Sequence, residues 1–208
     1  MQGSRPRRHI TIDAFGNPDD FRKEAATLGA ANAESLYSPA TGEIMTWFRS
    51  PGYLTQSGLV TAARYQQVLA HEVTHAYMDL VYGSTSPLWF AEGSAEYFGR
   101  FRWDPKRRRC EPGAILEETL QTLEISGGPL PIGEFVALPR AVMYGSEFGR
   151  LYAQAWAVCH YLYTRRPSVV AELLEDPSRI PDVGALEGAW RAHLDELWLE
   201  IPRARRPR

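Results

Sequence analysis

The segment His71-Glu72-Val73-Thr74-His75 restricts the local structure of this chain more than any other segment does. Histidines four residues apart stand one turn apart on the same face of an α-helix, so both imidazoles can reach one metal ion. Glu72 is rotated by about 100° from His71, which keeps its carboxylate off the metal but close to a metal-bound water. The spacing predicts a helix with His71 and His75 as metal ligands and Glu72 as a base.

A second acidic segment follows after a predicted turn. Gly83 is typical of the residue that ends a helix. Ser86 as N-cap and Pro87 at the first helical position predict that a new helix begins there. That helix carries Glu92 and Glu96, which stand one turn apart on one face.

Catalytic zinc sites have three protein ligands and one open position, so two histidines are one ligand short. We expect Glu92 to be the third ligand of a single zinc ion. Glu96 is expected to accept a hydrogen bond from the non-ligating nitrogen of a zinc-bound histidine, His71, which would fix its tautomer and orientation.

The composition of the predicted motif helix supports a buried metal platform, because its apolar residues recur at helical spacing. They are Val68, Leu69, Val73, Ala76, Tyr77, Leu80 and Val81. The alternative is that His71 and His75 are ordinary surface or core histidines. That alternative leaves Glu92 and Glu96 unexplained in a helix rich in aromatic residues.

The pair of motifs, HEVTH and WFAEGSAEYF, resembles the gluzincin branch of the zincin metallopeptidases. In that branch the first motif is HExxH, and the third ligand is the Glu of an E-G-x-A-E-Y-like helix. Within the branch the chain looks most like the uncharacterised peptidase-like domains of the DUF1570 type. The resemblance implies a zincin-like fold, one Zn²⁺ ion and a peptide or protein substrate.

A third segment, residues 152–162, is similar to the tyrosine-containing helix of aminopeptidase-type gluzincins. The resemblance implies that Tyr152 stabilises the oxyanion of the tetrahedral intermediate. A phenol of ordinary pKa can donate to an oxyanion without losing its proton. Tyr152 could instead belong to the core face of its helix, and Tyr144, in a predicted glycine-containing loop, is the second candidate.

The wider pattern predicts an α+β fold, with a small, mainly antiparallel sheet beside the HExxH helix and a mostly helical C-terminal half. Residues 9–15 and 43–49 read as strands, 38–42 as a turn and 19–33 as a helix. Later helices are expected near 113–125, 147–165, 167–175 and 182–199. An edge strand would bind extended peptide in the zincins that this chain resembles.

The length of 208 residues and the lack of an internal repeat or low-complexity linker favour one domain over 1–208. Residues 1–8 and 202–208 are expected to be flexible tails. The formal net charge of −2 gives no reason to expect a nucleic-acid partner, and the basic run 106–109 is expected to be a solvated loop. Whether Cys110 and Cys159 pair is left open.

No apolar stretch is long enough to span a membrane, and the polar N-terminus has no signal-peptide pattern. The location is left open, because an excised domain of a secreted or cytoplasmic protein would have the same sequence. Oligomeric state is also left open. His9, His160 and His193 are placed outside the site, because a lone histidine is more often a packing or surface residue.

These observations lead us to expect a zinc metallopeptidase, a hydrolase in which Glu72 activates a zinc-bound water and later protonates the leaving amine. Two alternatives stay open. One is a zincin-like binding or regulatory module without general proteolytic activity. The other is a protease specific for a single regulatory protein. Cleavage specificity, and endopeptidase against exopeptidase action, are not specified by the sequence.

Overall fold

The computed structural model describes residues 9–30, 33–47, 54–55, 58–59, 62–83, 86–176 and 182–201. The fold is α+β, with small sheets and a mostly helical C-terminal half, as predicted. The chain forms two compact units, residues 1–84 and 85–208. The prediction of one domain stays a prediction. The predicted tails, 1–8 and 202–208, lie outside the described residues, and so does the end of the predicted strand 43–49.

The elements of the first unit are β1 (Thr11–Phe15), α1 (Pro18–Thr27), β2 (Ser35–Ser38), β3 (Glu43–Trp47), β4 (Leu54–Thr55), β5 (Gly58–Leu59) and α2 (Ala62–Tyr82). Strand β3 is central in a three-stranded sheet, parallel to β1 and antiparallel to β2. Strands β4 and β5 form a separate antiparallel pair. The predicted strands at 9–15 and 43–49 therefore correspond to β1 and β3.

Helix α1 is shorter than the predicted helix over 19–33. It ends at Thr27, and Gly29 follows with a φ of 75°. The amide of Ala30 donates to the carbonyl of Ala25 at 2.9 Å, which closes the last turn in a glycine-terminated helix end. Strand β2 was not predicted, because its four residues, two of them serines, carry little β-strand signal.

Helix α2, which carries the HEVTH segment, packs on β2 and β3. The phenol of Tyr37 on β2 donates to Asp79 on α2 at 2.6 Å, which ties the helix to the sheet. Ala76 is fully buried, but Val73 and Tyr77 are 38% and 54% exposed, so the expectation that this apolar face is buried is wrong. Residues 73 and 77 share one face of the helix, and that face stays open to solvent.

The elements of the second unit are α3 (Leu88–Gly99), β6 (Arg102–Asp104), β7 (Arg109–Glu111), α4 (Glu117–Ile125), α5 (Ile132–Val136), α6 (Arg140–Met143), α7 (Phe148–Arg165), α8 (Pro167–Glu175) and α9 (Val183–Glu200). Helix α7 is central and packs against α3, α4, α8 and α9. The helices predicted near 147–165, 167–175 and 182–199 are confirmed as α7, α8 and α9. Helix α4 begins at Glu117, four residues later than predicted.

The structure tests both of the helix boundaries predicted around residue 85. Helix α2 ends at Tyr82, and Gly83 has a φ of 82°, which confirms Gly83 as the stop. Helix α3 begins at Leu88 with Pro87 as its N-cap, so the predicted Ser86 cap is wrong by one residue. Pro87 has a ψ of 138°, outside the helical region, which is why the helix starts after it.

The basic run 106–109 joins β6 to β7 and is exposed, as expected for a solvated loop. The hairpin around it was not predicted. Cys110 and Cys159 are both free thiols, the first exposed and the second buried, so they do not pair. Among the described helices, none combines the length and the apolar composition that a membrane span requires.

Helix α3 lies unusually close to α7 at Gly93. A Cβ atom built on Gly93 would be 2.4 Å from the backbone oxygen of Ala155 and 2.5 Å from the sulfur of Cys159. Ser94 and Ala95 beside it are fully buried, and the hydroxyl of Tyr163 donates to Ser94 Oγ at 3.0 Å. Small residues between Glu92 and Glu96 therefore allow the two helices to touch through their backbones.

A buried histidine pair joins α7 to α9. His160 Nδ1 lies 2.9 Å from His193 Nε2, and both side chains are buried. Burial, and then the neighbouring His193, lower the pKa of His160 to about 4. The pKa of His193 is also lowered, chiefly by burial and then by Arg165. Both imidazoles are therefore neutral at pH 7.

Substituting Gly93→Ala is expected to lower the free energy of unfolding by about 1–3 kcal/mol, because the added methyl meets backbone that has little room to retreat. Chemical denaturation of the two proteins measures this change. Gly188→Ala in α9 is the control, since nothing lies within 4 Å of the position that its methyl group would take and alanine favours a helix. Equal stability of Gly93→Ala and wild type would contradict the close approach.

The pH dependence of stability should reflect the neutral His160. Its pKa in the folded state lies below the ordinary value of 6.5, so the unfolded chain takes up the proton first as the pH falls. The contribution of neutral His160 to the free energy of unfolding is therefore complete above pH 6.5. As the pH falls from 6.5 to about 4 this contribution is lost, and the free energy of unfolding decreases by no more than about 1.4 kcal/mol per pH unit.

Urea denaturation of metal-free protein at several pH values between 7 and 4 tests this expectation, with His160→Gln as the comparison. The variant lacks the titrating imidazole, so its free energy of unfolding should fall less steeply with pH. Parallel pH profiles for the two proteins would show that His160 does not contribute.

Candidate metal centre

The first unit brings His71 and His75 together on α2. Their Nε2 atoms are 3.1 Å apart, and the rings meet edge to face with centroids separated by 4.8 Å. Within the motif, Thr74 donates its hydroxyl to the carbonyl of Ala70, one turn earlier on the helix, at 2.8 Å. The four-residue spacing therefore brings the two ring nitrogens together on one face of α2, and their role as metal ligands stays a prediction.

The geometry of this pair fits a metal ion. Two nitrogens at about 2.0–2.1 Å from a tetrahedral zinc ion stand roughly 3.3 Å from each other. The observed separation of 3.1 Å is close to this value. An N–H···N hydrogen bond between the rings explains the same distance without a metal, so the pair is compatible with zinc rather than diagnostic of it.

Glu72 lies on the same helix and is only 7% exposed. A carboxylate is rarely buried unless it has a partner or a chemical role. Because α2 is helical, Glu72 lies next to His71 but is rotated away from the face that His71 and His75 share. Its role as the base stays a prediction.

The second unit holds Glu92 on α3, where its side chain is 4% exposed. The phenol of Tyr144, just after α6, donates to Glu92 Oε1 at 2.6 Å. Tyr152 on α7 lies near the same carboxylate, whose negative charge acts on the Tyr152 phenol. A neutral donor, Tyr144, therefore orients this buried carboxylate.

Both phenols keep their protons firmly. The pKa of Tyr152 is raised above its usual value, chiefly by burial and then by the negative charge of Glu92. The pKa of Tyr144 is raised by the same two causes in the same order. Arg140 lies over the Tyr144 ring, 4.8 Å from its centroid. Both phenols therefore keep a proton at neutral pH. The role of Tyr152 towards an oxyanion stays a prediction.

Glu96 has a different kind of partner. Its Oε2 accepts hydrogen bonds from Arg100 one turn later on α3, with Nε at 2.7 Å and Nη2 at 2.6 Å. Arg100 also hydrogen-bonds Thr119 on α4. A cation therefore balances the charge of Glu96. The expected hydrogen bond from His71 to Glu96 stays a prediction.

Sequence reasoning did not find the Tyr144–Glu92 hydrogen bond or the Arg100–Glu96 ion pair. The first joins residues 52 positions apart, and no local pattern indicates it. The second could have been found, because a Glu followed four residues later by an Arg is a common ion pair on helices. Tyr144 was only the second candidate, yet it is the phenol that contacts Glu92 most directly.

In comparisons with known proteins, no family model matches the chain and no curated protein matches it at a significant level. The resemblance to gluzincins therefore rests on the sequence motifs alone and stays a prediction.

Substituting Tyr144→Phe in metal-free protein is expected to lower the free energy of unfolding by about 1–2 kcal/mol, because a buried carboxylate oxygen loses a donor. Tyr77→Phe, which removes the hydroxyl of an exposed tyrosine on α2, is the matched control and should change little. Thermal or urea unfolding gives both values. If the two variants were equally stable, the hydrogen bond to Glu92 would not contribute.

Proposed function

We propose that this protein is a zinc metallopeptidase of the gluzincin type, in which His71, His75 and Glu92 bind one zinc ion. The observation that carries the proposal is the convergence of His71 Nε2 and His75 Nε2 to 3.1 Å on one helix. Glu92 supports it, because its carboxylate is buried and accepts a hydrogen bond from a phenol, which adds no positive charge. The EGSAEY segment around Glu92 resembles the third-ligand helix of gluzincins.

A zinc ion bound there would supply Lewis acidity to a substrate carbonyl and lower the pKa of water from 15.7 to about 7. With two neutral imidazoles and one carboxylate as ligands, such a centre would carry a net positive charge and would leave room for water or substrate. This ligand set suits catalysis better than a structural role, since structural zinc sites are closed by four protein ligands.

Glu72 is the general base of the proposed reaction. Its carboxylate accepts a proton from the attacking water and later delivers it to the nitrogen of the leaving amine. Its place next to His71 on a regular helix keeps it near the reacting atoms without making it a ligand.

Tyr152 is proposed to donate a hydrogen bond to the oxyanion that forms during attack. Its phenol lies near the Glu92 carboxylate, whose negative charge helps to raise the pKa of Tyr152 and so keeps its proton available for donation. Tyr144 donates to Glu92 Oε1. In this proposal Tyr144 positions the ligand Glu92, and Tyr152 serves the substrate.

The substrate class, a peptide or protein, rests on the gluzincin resemblance. The proposal does not require that the enzyme cleave peptides in general. A zincin-like binding module and a protease for one regulatory protein are the alternatives, and measurements of zinc content and peptide turnover separate them.

Replacing Glu72 by Gln should leave zinc bound at wild-type stoichiometry and reduce peptide hydrolysis by several orders of magnitude, because the base is lost while the ligands stay. Replacing His75 by Ala should remove the zinc. Zinc content is measured by elemental analysis, and turnover with a mixed peptide library at stoichiometric zinc. Glu118→Gln, an exposed carboxylate on α4, is the control and should match wild type in both assays.

A fully active Glu72→Gln variant would exclude Glu72 as the base, and unchanged zinc in His75→Ala would remove His75 from the site. If wild type binds zinc but cuts no peptide in the library, general peptidase activity is wrong. Loss of one specific protein from a cell extract, absent with Glu72→Gln, would then identify the single-substrate protease.

A further inference from the structure

Three exposed side chains of the second unit form a surface next to the buried Glu92 carboxylate. They are Arg140 on α6, Tyr144 just after α6 and Phe148 at the start of α7, and together we call them the arginine–aromatic patch. Tyr144 and Phe148 are 45% and 59% exposed, and Arg140 is exposed as well. The patch therefore presents a cation and apolar ring surface to solvent.

Ring contacts hold the arginine–aromatic patch together. The guanidinium carbon of Arg140 lies 4.8 Å from the centroid of the Tyr144 ring, which is a cation–π distance. The ring of Tyr152 on α7 is 6.4 Å from that of Tyr144 and 6.2 Å from that of Phe148, so it joins the two. The patch is therefore one connected surface and not three separate side chains.

Arg140 differs from other arginines of this unit in its lack of an acidic partner. Arg100 is paired with Glu96. Arg150 is paired with Glu147. Among the residues that the structure describes, no carboxylate forms an ion pair with Arg140, whose side chain contacts the Tyr144 ring instead. A planar guanidinium in this state can bind a carboxylate of a ligand through two parallel hydrogen bonds.

Tyr144 connects the patch to the proposed metal ligand. Its hydroxyl donates to Glu92 Oε1 at 2.6 Å, while the guanidinium of Arg140 lies over the ring of the same tyrosine. A single phenol therefore separates the guanidinium from Glu92. An extended peptide advances about 3.3–3.6 Å per residue, so a substrate with its scissile carbonyl at a metal bound by Glu92 would reach Arg140 within about three residues.

We propose that Arg140 binds a carboxylate of the substrate, and that the rings of Tyr144 and Phe148 contact the apolar part of the peptide beside it. This inference rests on the proposed function, because it places the scissile bond at Glu92. The substrate class is a peptide with a negative charge within about three residues of the scissile bond. A free C-terminus and an Asp or Glu side chain both supply that chemical group.

The charges near the patch favour an anionic group at Arg140. Arg100 balances Glu96 within α3. In the proposed centre the metal ion would balance Glu92, which leaves Arg140 as a cation without a counter-charge. Because Arg140 is exposed, it keeps much of its hydration, so binding a carboxylate there avoids the large desolvation cost of a buried ion pair.

Retention of peptides on immobilised Glu72→Gln protein incubated with zinc tests the proposal without turnover. The probe is a mixed peptide library made once with free and once with amidated C-termini, and mass spectrometry identifies the retained peptides. Peptides with a carboxylate should be retained about five- to tenfold better than peptides without one, the worth of a well-aligned surface ion pair. Adding Arg140→Gln should abolish this preference. Arg140→Lys should restore part of it, because the charge returns without the paired hydrogen bonds.

The two forms of the library distinguish the two sources of the carboxylate. A preference for free over amidated C-termini identifies the terminal carboxylate. A preference for Asp or Glu within the amidated library identifies a side chain. Arg191→Gln is the matched control and should leave the preference unchanged, since it removes an exposed arginine of α9 that is paired with Glu187.

If Arg140 only covers the Tyr144 ring, Arg140→Gln would weaken the retention of all peptides equally and leave the preference intact, which would overturn the inference. The inference is also overturned if the Glu72→Gln protein shows no preference for peptides with a carboxylate. Zinc content and turnover of wild type judge the proposed function separately. A wild type without zinc would contradict the peptidase, whereas a carboxylate preference that depends on Arg140 would still support this binding site.

Discussion

The close approach of α3 to α7 at Gly93 is the constraint on which the second unit depends. A methyl group at this position would collide with the backbone of Ala155, so the two helices can meet at this distance only where residue 93 has no side chain. The contact buries Ser94 and Ala95 and orients the helical face that carries Glu92 and Glu96. The direction of the Glu92 and Glu96 side chains therefore depends on the close helix contact at residue 93, which lies between them in the sequence.

The two carboxylates on α3 receive different electrostatic environments. Glu92 accepts a hydrogen bond from the Tyr144 phenol and lies near the Tyr152 phenol, and neither phenol brings a positive charge. Glu96 is paired with a guanidinium, which balances its charge within the second unit. A carboxylate surrounded by neutral donors attracts a cation more strongly than one already paired. This difference matches the roles proposed for Glu92 as a metal ligand and for Glu96 as a supporting residue.

Local sequence patterns predicted the helices that carry the motifs, because helical periodicity and glycine stops act over a few residues. The end of α2 at Gly83 and the span of α8 are examples. Features that depend on distant residues were not predictable in this way. The histidine pair joins positions 33 residues apart, and Tyr144 reaches Glu92 across 52 residues. The exposure of Tyr77 was also missed, since an apolar residue at helical spacing does not reveal which helix face a sheet covers.

The two thiols of this chain differ in chemical accessibility. Burial raises the pKa of Cys159, and its sulfur lies under α3 against the carbonyl of Phe90, so it has little thiolate to offer a reagent. Cys110 is exposed on β7. A maleimide dye added to the native protein would therefore label one position, on the hairpin, with no need to remove the other cysteine. The folded chain provides its own single-site attachment point for fluorescence or spin-label spectroscopy.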